Sequence, residues 1–111
     1  MKYIAERQIH FSSKKNADKK TLIIRVSEPY LIKEDTFNFP LNSGVSGCNL
    51  EFEGFDEPYL EKIYGADSIQ ALELALNSIN RFLKILSKEY KFYFLDGEPY
   101  FGENSVTGKI R

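Results

Sequence analysis

Residues 65–87, GADSIQALELALNSINRFLKILS, contain the pattern that decides the fold. Apolar side chains recur there at the i, i+3, i+4 spacing of an amphipathic helix. Asp67 is placed to be the N-cap, and Gln70 three residues later completes a capping-box pattern. We predict a helix over residues 68–87, about 30 Å long at 1.5 Å per residue, with a stripe broad enough to lie across a sheet. The apolar positions are Ile69, Leu72, Ala75, Leu76, Ile79, Phe82, Leu83 and Leu86.

Three segments before this helix have the patterns of strands. Residues 3–11 and 48–55 (CNLEFEGF) alternate apolar and polar side chains, which is typical of strands with one solvent-exposed face. Residues 21–26 (TLIIRV) are rich in the β-branched residues that strands favour. The polar segment 12–20 lies between the first two strands, so we predict that they form an antiparallel hairpin.

The chain between the second and third strands is less regular. Pro29 ends the second strand or places it at an edge, because proline cannot donate a ladder hydrogen bond. Residues 30–32 resume the strand beyond this kink. Residues 33–47 mix turn-forming residues with a few apolar ones and predict a long loop.

The segment after the helix completes the predicted fold. Residues 90–95 (YKFYFL) have aromatic side chains on both faces of a strand, so we expect either a mid-sheet strand or one with both faces covered. Asp96-Gly97 predicts a turn, and residues 98–101 a short edge strand. The order β-β-β-α-β, with a possible final strand, indicates an α+β fold with one long helix on one face of a mainly antiparallel sheet. We expect one domain over residues 1–101 and a flexible tail over 102–111.

Composition and charge exclude several classes of function. The 111 residues contain 15 Lys and Arg against 16 Asp and Glu, a balance that argues against a nucleic-acid binder. The longest apolar run, residues 92–95, is far shorter than the roughly 20 residues of a membrane-spanning helix. The single cysteine, Cys48, cannot form an intrachain disulfide or a cysteine-based metal site. The N-terminal residues do not resemble a signal peptide, so we expect a cytoplasmic protein. We also expect no bound cofactor.

The candidate catalytic residues have simpler interpretations. His10, the sole histidine, falls on the polar face of the first strand and is expected to be a surface residue. Cys48 falls on the apolar face of its strand and is expected to be an inert core residue. The chain has five carboxylates within eleven residues, which predict an acidic docking surface for a basic partner or merely a solvated face. These candidates are Glu51, Glu53, Asp56, Glu57 and Glu61.

Aromatic residues are concentrated near the C-terminus. The chain has seven Tyr and nine Phe, and six of these sixteen lie within residues 90–101. Because one helix covers only one face of a sheet, we expect part of this set to face solvent or a partner. Tyr93, Tyr100 and Phe101 are therefore candidate partner-binding residues, although all six could equally be core residues.

Two stretches together resemble a family of small bacterial single-domain proteins. These are IAER at residues 4–7 and YGADSIQALELAL at residues 64–76, similar to that family's AER strand and Y-G-x-D-S-x-Q-A-L-x-L-A-L helix start. The resemblance implies a single α+β domain and no particular activity. Such domains are similar in size and charge to bacterial immunity proteins, which plug the active site of a toxin; this is an analogy of class.

These observations lead to three hypotheses about function. We predict a non-catalytic protein-binding domain of the immunity or antitoxin type. The first alternative is a structural homodimer that pairs through an exposed sheet face or edge. The second is a small enzyme with a divalent cation held by Glu51, Glu53 and Asp56, since carboxylates suit Mg²⁺ and Ca²⁺.

Overall fold

The computed structural model describes residues 2–32 and 44–102, which form one helix and a six-stranded antiparallel sheet. This is an α+β fold with the helix packed on the sheet, so the predicted fold class is confirmed. The elements are β1 (Tyr3–Ser13), β2 (Lys20–Ser27), β3 (Tyr30–Leu31), β4 (Ser46–Glu53), β5 (Tyr59–Gly65), α1 (Ser68–Leu86) and β6 (Tyr90–Tyr93).

The strands lie in the order β5-β4-β2-β1-β6, and all their pairings are antiparallel. The short strand β3 pairs with the first residues of β4, on the same edge of β4 as β2. It therefore continues the line of β2 beyond Pro29, and the predicted resumption of the strand at residues 30–32 is confirmed. The loop predicted over residues 33–47 and the tail predicted over 102–111 lie largely outside the described residues.

The helix begins where the capping pattern predicts. Asp67 has an extended backbone, and its Oδ1 accepts a hydrogen bond from the Gln70 N–H at 2.7 Å. In return, the Gln70 Oε1 accepts from the backbone N–H of Ala66. The first bond satisfies an amide group that the first helical turn leaves without an internal partner, and the second holds the residue before the cap against the helix. The helix ends at Leu86, one residue before the predicted end.

The helix packs on β4, β5 and part of β2. Phe52 of β4 is fully buried beneath it, which contributes about 1.5–3 kcal/mol relative to an exposed side chain. Phe82 of the helix packs edge-on against the Phe52 ring. The core consists of Ile9, Phe11, Leu22, Ile24, Val26, Cys48, Leu50, Phe52, Ala71, Ala75, Ile79, Leu83 and Phe92.

Strand β5 was not predicted. It pairs with β4 along seven residues, from Phe52 opposite Tyr59 to Ser46 opposite Gly65. Its side chains are exposed or half-buried on both faces except at Gly65, so the sequence lacks the alternation that identifies strands with one buried face. The carboxylates of this region were instead interpreted as one continuous acidic segment.

Strand β6 differs from its prediction in position. It is an edge strand whose neighbour among the described strands is β1 alone, so the mid-sheet interpretation is wrong. The Asp96-Gly97 turn is confirmed, because Gly97 has φ +92° and its N–H donates to the Phe94 carbonyl. The predicted final strand is reduced to a single bridge between Tyr93 and Pro99.

The two faces of the sheet have different surroundings. We call the face beneath α1 the helix face, and the opposite one the open face, because no described helix or strand packs on it. Cross-strand partners in an antiparallel pair point to the same face. The register therefore places every side chain on one of the two faces. The described residues contain no helix long and apolar enough to cross a membrane.

Candidate functional site

An ion-pair cluster lies at the centre of the open face. Arg25 of β2 is directly opposite Glu6 of β1 and Glu51 of β4. Its Nε donates to Glu6 Oε1 at 3.1 Å, and its Nη1 donates to Glu51 Oε2 at 3.4 Å and to Glu53 Oε1 at 2.5 Å. We call these four residues the Arg25 cluster.

The Arg25 cluster has an excess of negative charge. Three carboxylates share one guanidinium, which leaves two negative charges at neutral pH. The hydrogen bond with Glu53, followed by the interactions with Glu6, raises the pKa of Arg25, so the guanidinium stays charged. A hydrogen bond with Glu51 is the largest cause of the raised pKa of Tyr3, whose ring centroid lies 5.9 Å from the Arg25 guanidinium carbon.

Half-buried tyrosines lie on either side of this cluster. The Tyr30 hydroxyl donates to Asn49 Oδ1 at 2.7 Å, and burial raises the pKa of Tyr30. At the β6 edge, the Lys19 ammonium lies 4.5 Å from the centroid of the Tyr93 ring. The open face is therefore acidic at its centre and amphipathic toward its sides.

Strand β5 adds exposed apolar side chains to the outer edge of the sheet. Leu60 and Tyr64 lie on the open face and are 50% and 41% exposed. Tyr59 and Ile63 point to the helix face, where the Tyr59 ring packs 5.7 Å from that of Phe82. These residues were missed because the strand itself was missed. Their signal in the sequence was the run of large apolar residues in YLEKIYG.

The predicted acidic residues do not form one surface. Glu51 and Glu53 project from the open face into the Arg25 cluster, as their spacing predicts. Glu61 points to the helix face, because it lies opposite the buried Leu50, and it accepts a hydrogen bond from the Tyr59 hydroxyl at 2.9 Å. Asp56 and Glu57 are exposed in the turn between β4 and β5.

The predicted aromatic residues are also divided between the two faces. Tyr93 lies on the open face, since it is opposite His10. The Tyr100 hydroxyl donates to Asn80 Oδ1 of the helix at 2.6 Å and accepts from Arg7 Nη1 at 2.6 Å. Phe101 packs against Tyr100 beside the helix. All three are half-buried, so the most exposed apolar side chains of the described residues lie elsewhere.

A small cavity lies at the end of the sheet nearest the β1–β2 turn. Its volume is about 200 Å³. The rings of Phe11, Phe55 and Tyr90 line it, with centroids 4.9–5.5 Å apart. Asp18 and Asp56 are among its polar lining residues.

The candidate catalytic groups are not arranged as a nucleophilic site. Cys48 is fully buried, as predicted, and donates to the Ser27 carbonyl oxygen at 3.2 Å. Burial raises the pKa of its thiol, which keeps the reactive thiolate scarce. His10 is half-buried and not the simple surface residue expected; its Nδ1 has no hydrogen-bond partner in the described part of the chain.

The residues of the proposed cation site are separated. Glu51 and Glu53 are held by Arg25, whereas Asp56 lines the cavity beside Phe11. Residues 2–32 and 44–102 contain no group of three or more His, Cys, Asp or Glu side chains that could hold a metal ion. The structure therefore does not bring together the three carboxylates of the metal-enzyme alternative.

Comparison with known proteins does not assign the chain to a family. A scan against protein-family models matches no family, and searches of curated proteins and of solved structures match no protein. The resemblance of residues 4–7 and 64–76 to a family of small bacterial proteins thus stays a prediction. The structure gives the second motif a role in folding, because Asp67 and Gln70 cap the helix and Ala71 and Ala75 are buried beneath it.

Proposed function

We propose that this protein is a non-catalytic protein-binding domain whose open face binds a partner with a basic surface. One observation carries the proposal: three glutamates share one arginine on a sheet face that no described element covers. The proposal keeps Glu51 and Glu53 from the predicted acidic surface. It replaces the rest of that surface with Glu6 and Arg25.

The geometry of the cluster suits recognition of a charged partner. Its members are fixed by the register of three paired strands, so the carboxylates are held in place before a partner arrives. Excess charge of one sign on a rigid surface speeds association with an oppositely charged partner and orients it. Tyr3 and Leu60, both exposed on this side of the molecule, add apolar area around the charges.

The analogy with immunity proteins supplies a candidate class of partner. An enzyme that cleaves nucleic acid requires a basic active site, because its substrate has a negative charge at every phosphate. The Arg25 cluster, with three carboxylates to one guanidinium, complements such a site. We therefore propose a toxin of this chemistry as the partner to test first.

The test compares two variants with the same change in net charge. Glu6→Gln with Glu53→Gln neutralises the excess charge and leaves Glu51 as a partner for Arg25. Glu73→Gln with Glu89→Gln makes the same change at exposed positions on the helix and after it. Tagged wild-type protein and both variants are used to capture partners from the lysate of the source organism, and the captured protein is then titrated by calorimetry.

We expect wild type and the Glu73/Glu89 variant to capture one stoichiometric basic protein, and the Glu6/Glu53 variant to bind it at least about tenfold more weakly. The affinity of wild type should also fall as salt is raised. Equal affinity of both variants for that protein would refute the role of the open face.

A further inference from the structure

The outer edge of β5 is the open end of the sheet. Among the described residues, β5 pairs only with β4. The opposite edge, β6, is followed by a turn that folds back on it, with Pro99 bridged to Tyr93 and the Tyr100 N–H bonded to the Phe92 carbonyl. A seven-residue edge strand with apolar side chains is a template for another strand.

Apolar side chains of the helix extend this edge. Asn80 bonds Tyr100, which in turn bonds Arg7 of β1, so the Asn80 side of the helix faces β1. With 3.6 residues per turn, Leu74 and Ile85 lie on the other side, above β5. They are 41% and 56% exposed. Apolar surface therefore continues from the edge strand onto the side of the helix above it.

We propose that the outer edge of β5 pairs with β5 of a second copy of this chain, antiparallel and with Ile63 opposite the second copy's Ile63. Two copies related by a two-fold axis perpendicular to the sheet keep their helices on the same side, which restricts the possible registers. This interface lies at the β5 edge, does not include the Arg25 cluster and does not depend on the proposed function.

The side chains of β5 select one register. With this two-fold axis, the central residue of each pairing lies opposite the same residue of the second copy. In pairings of five or more residues, that central residue is Glu61, Lys62 or Ile63. The first two place like charges directly opposite each other, which is destabilising. The third pairs Ile63 with itself and places Lys62 opposite the second copy's Tyr64, where an ammonium can contact an aromatic ring. The edge is therefore self-complementary in that register.

The helices contribute to the same interface. A five-residue strand pairing buries less than the roughly 1,200 Å² expected of a stable interface, so further contacts are needed. In the proposed arrangement the two helices run on either side of the paired strands, with Leu74 and Ile85 directed toward the second copy. Both helix positions are accordingly sensitive to substitution.

The experiment measures self-association by sedimentation equilibrium over a range of protein concentrations. We expect wild type to be a dimer and Ile85→Lys to raise its dissociation constant about tenfold or more. Ile69→Lys is the matched control, because Ile69 is 69% exposed and lies on the Asn80 side of the helix. Circular dichroism confirms that each variant is folded.

The register is tested separately by cross-linking. Ile63→Cys should cross-link to itself with a short bis-maleimide, whereas Tyr59→Cys should not, and the buried Cys48 does not compete. A monomeric wild type at high concentration overturns the proposal. So does a dimer that Ile69→Lys weakens as much as Ile85→Lys, or one that cross-links through position 59 in preference to position 63.

Discussion

Gly65 allows the end of β5 to lie against the first turn of the helix. A methyl group built on Gly65 overlaps the backbone nitrogen of Ala71 and lies 2.8 Å from its Cα. These are helix backbone atoms, which cannot rotate away as a side chain can. We predict that Gly65→Ala lowers the free energy of unfolding by about 2 kcal/mol, within the range of about 1–3 kcal/mol for overpacked sites.

Urea and thermal unfolding followed by far-UV circular dichroism measure this effect. For a chain of this length, about 2 kcal/mol corresponds to a melting temperature about 9 °C lower. Gly97→Ala is the comparison, since Gly97 has φ +92° and no atom within 4 Å of the added methyl group. The Gly97→Ala substitution should lower the free energy of unfolding by about 1 kcal/mol from backbone strain alone. A Gly65→Ala protein within about 0.5 kcal/mol of wild type would show that β5 and the helix do not meet as described.

Three further predictions concern the cap, the thiol and the response to pH. Asp67→Ala should lower the free energy of unfolding by about 1 kcal/mol, measured by urea titration, because the Gln70 N–H loses its acceptor. Cys48 should react with a thiol reagent only after urea unfolds the chain; rapid reaction in native buffer would contradict its burial. Burial raises the pKa values of Tyr30 and Tyr59 above 10.0, so their deprotonation opposes folding, and the urea midpoint should fall as the pH rises through and above about 10. Replacing both tyrosines with Phe should flatten that decline.

The sequence predicts those elements whose burial is one-sided. The helix has a strong apolar stripe and a cap, β1 and β4 have side chains such as Ile9 and Leu50 that alternate with polar ones, and β2 is rich in β-branched residues. Strand β5 could not be found in this way, because most of its side chains are at least partly exposed on both faces. For β6, the aromatic residues Tyr90 and Tyr93 resemble those of a central strand, whereas they cover the edge of a small sheet.

The candidate site was predictable only in part. The spacing of Glu51 and Glu53 places both on one strand face, and that inference agrees with the structure. The Arg25 cluster also requires Glu6, which is distant in sequence, and its position depends on the cross-strand register. One signal was present, since Arg25 interrupts the apolar run TLIIRV at a position that alternates with Leu22, Ile24 and Val26.

The two proposals together make one further prediction. Pairing through β5 joins the open faces of two copies into one surface with an Arg25 cluster on either side of the paired strands. A partner that contacts both clusters binds with higher overall affinity, because its second contact forms within the same complex. A partner that contacts only one cluster has no such increase in affinity.

At concentrations below its raised dissociation constant, the Ile85→Lys variant should be a monomer that keeps its own Arg25 cluster intact. With a partner that contacts both clusters, calorimetry should show weaker binding by this variant, although each monomer still binds. With a partner that contacts one cluster, the affinity should be unchanged and only the stoichiometry of the complex should differ. Complete loss of binding by a folded Ile85→Lys monomer would instead place the partner on the helix or on the edge of β5, and the open face would no longer account for recognition.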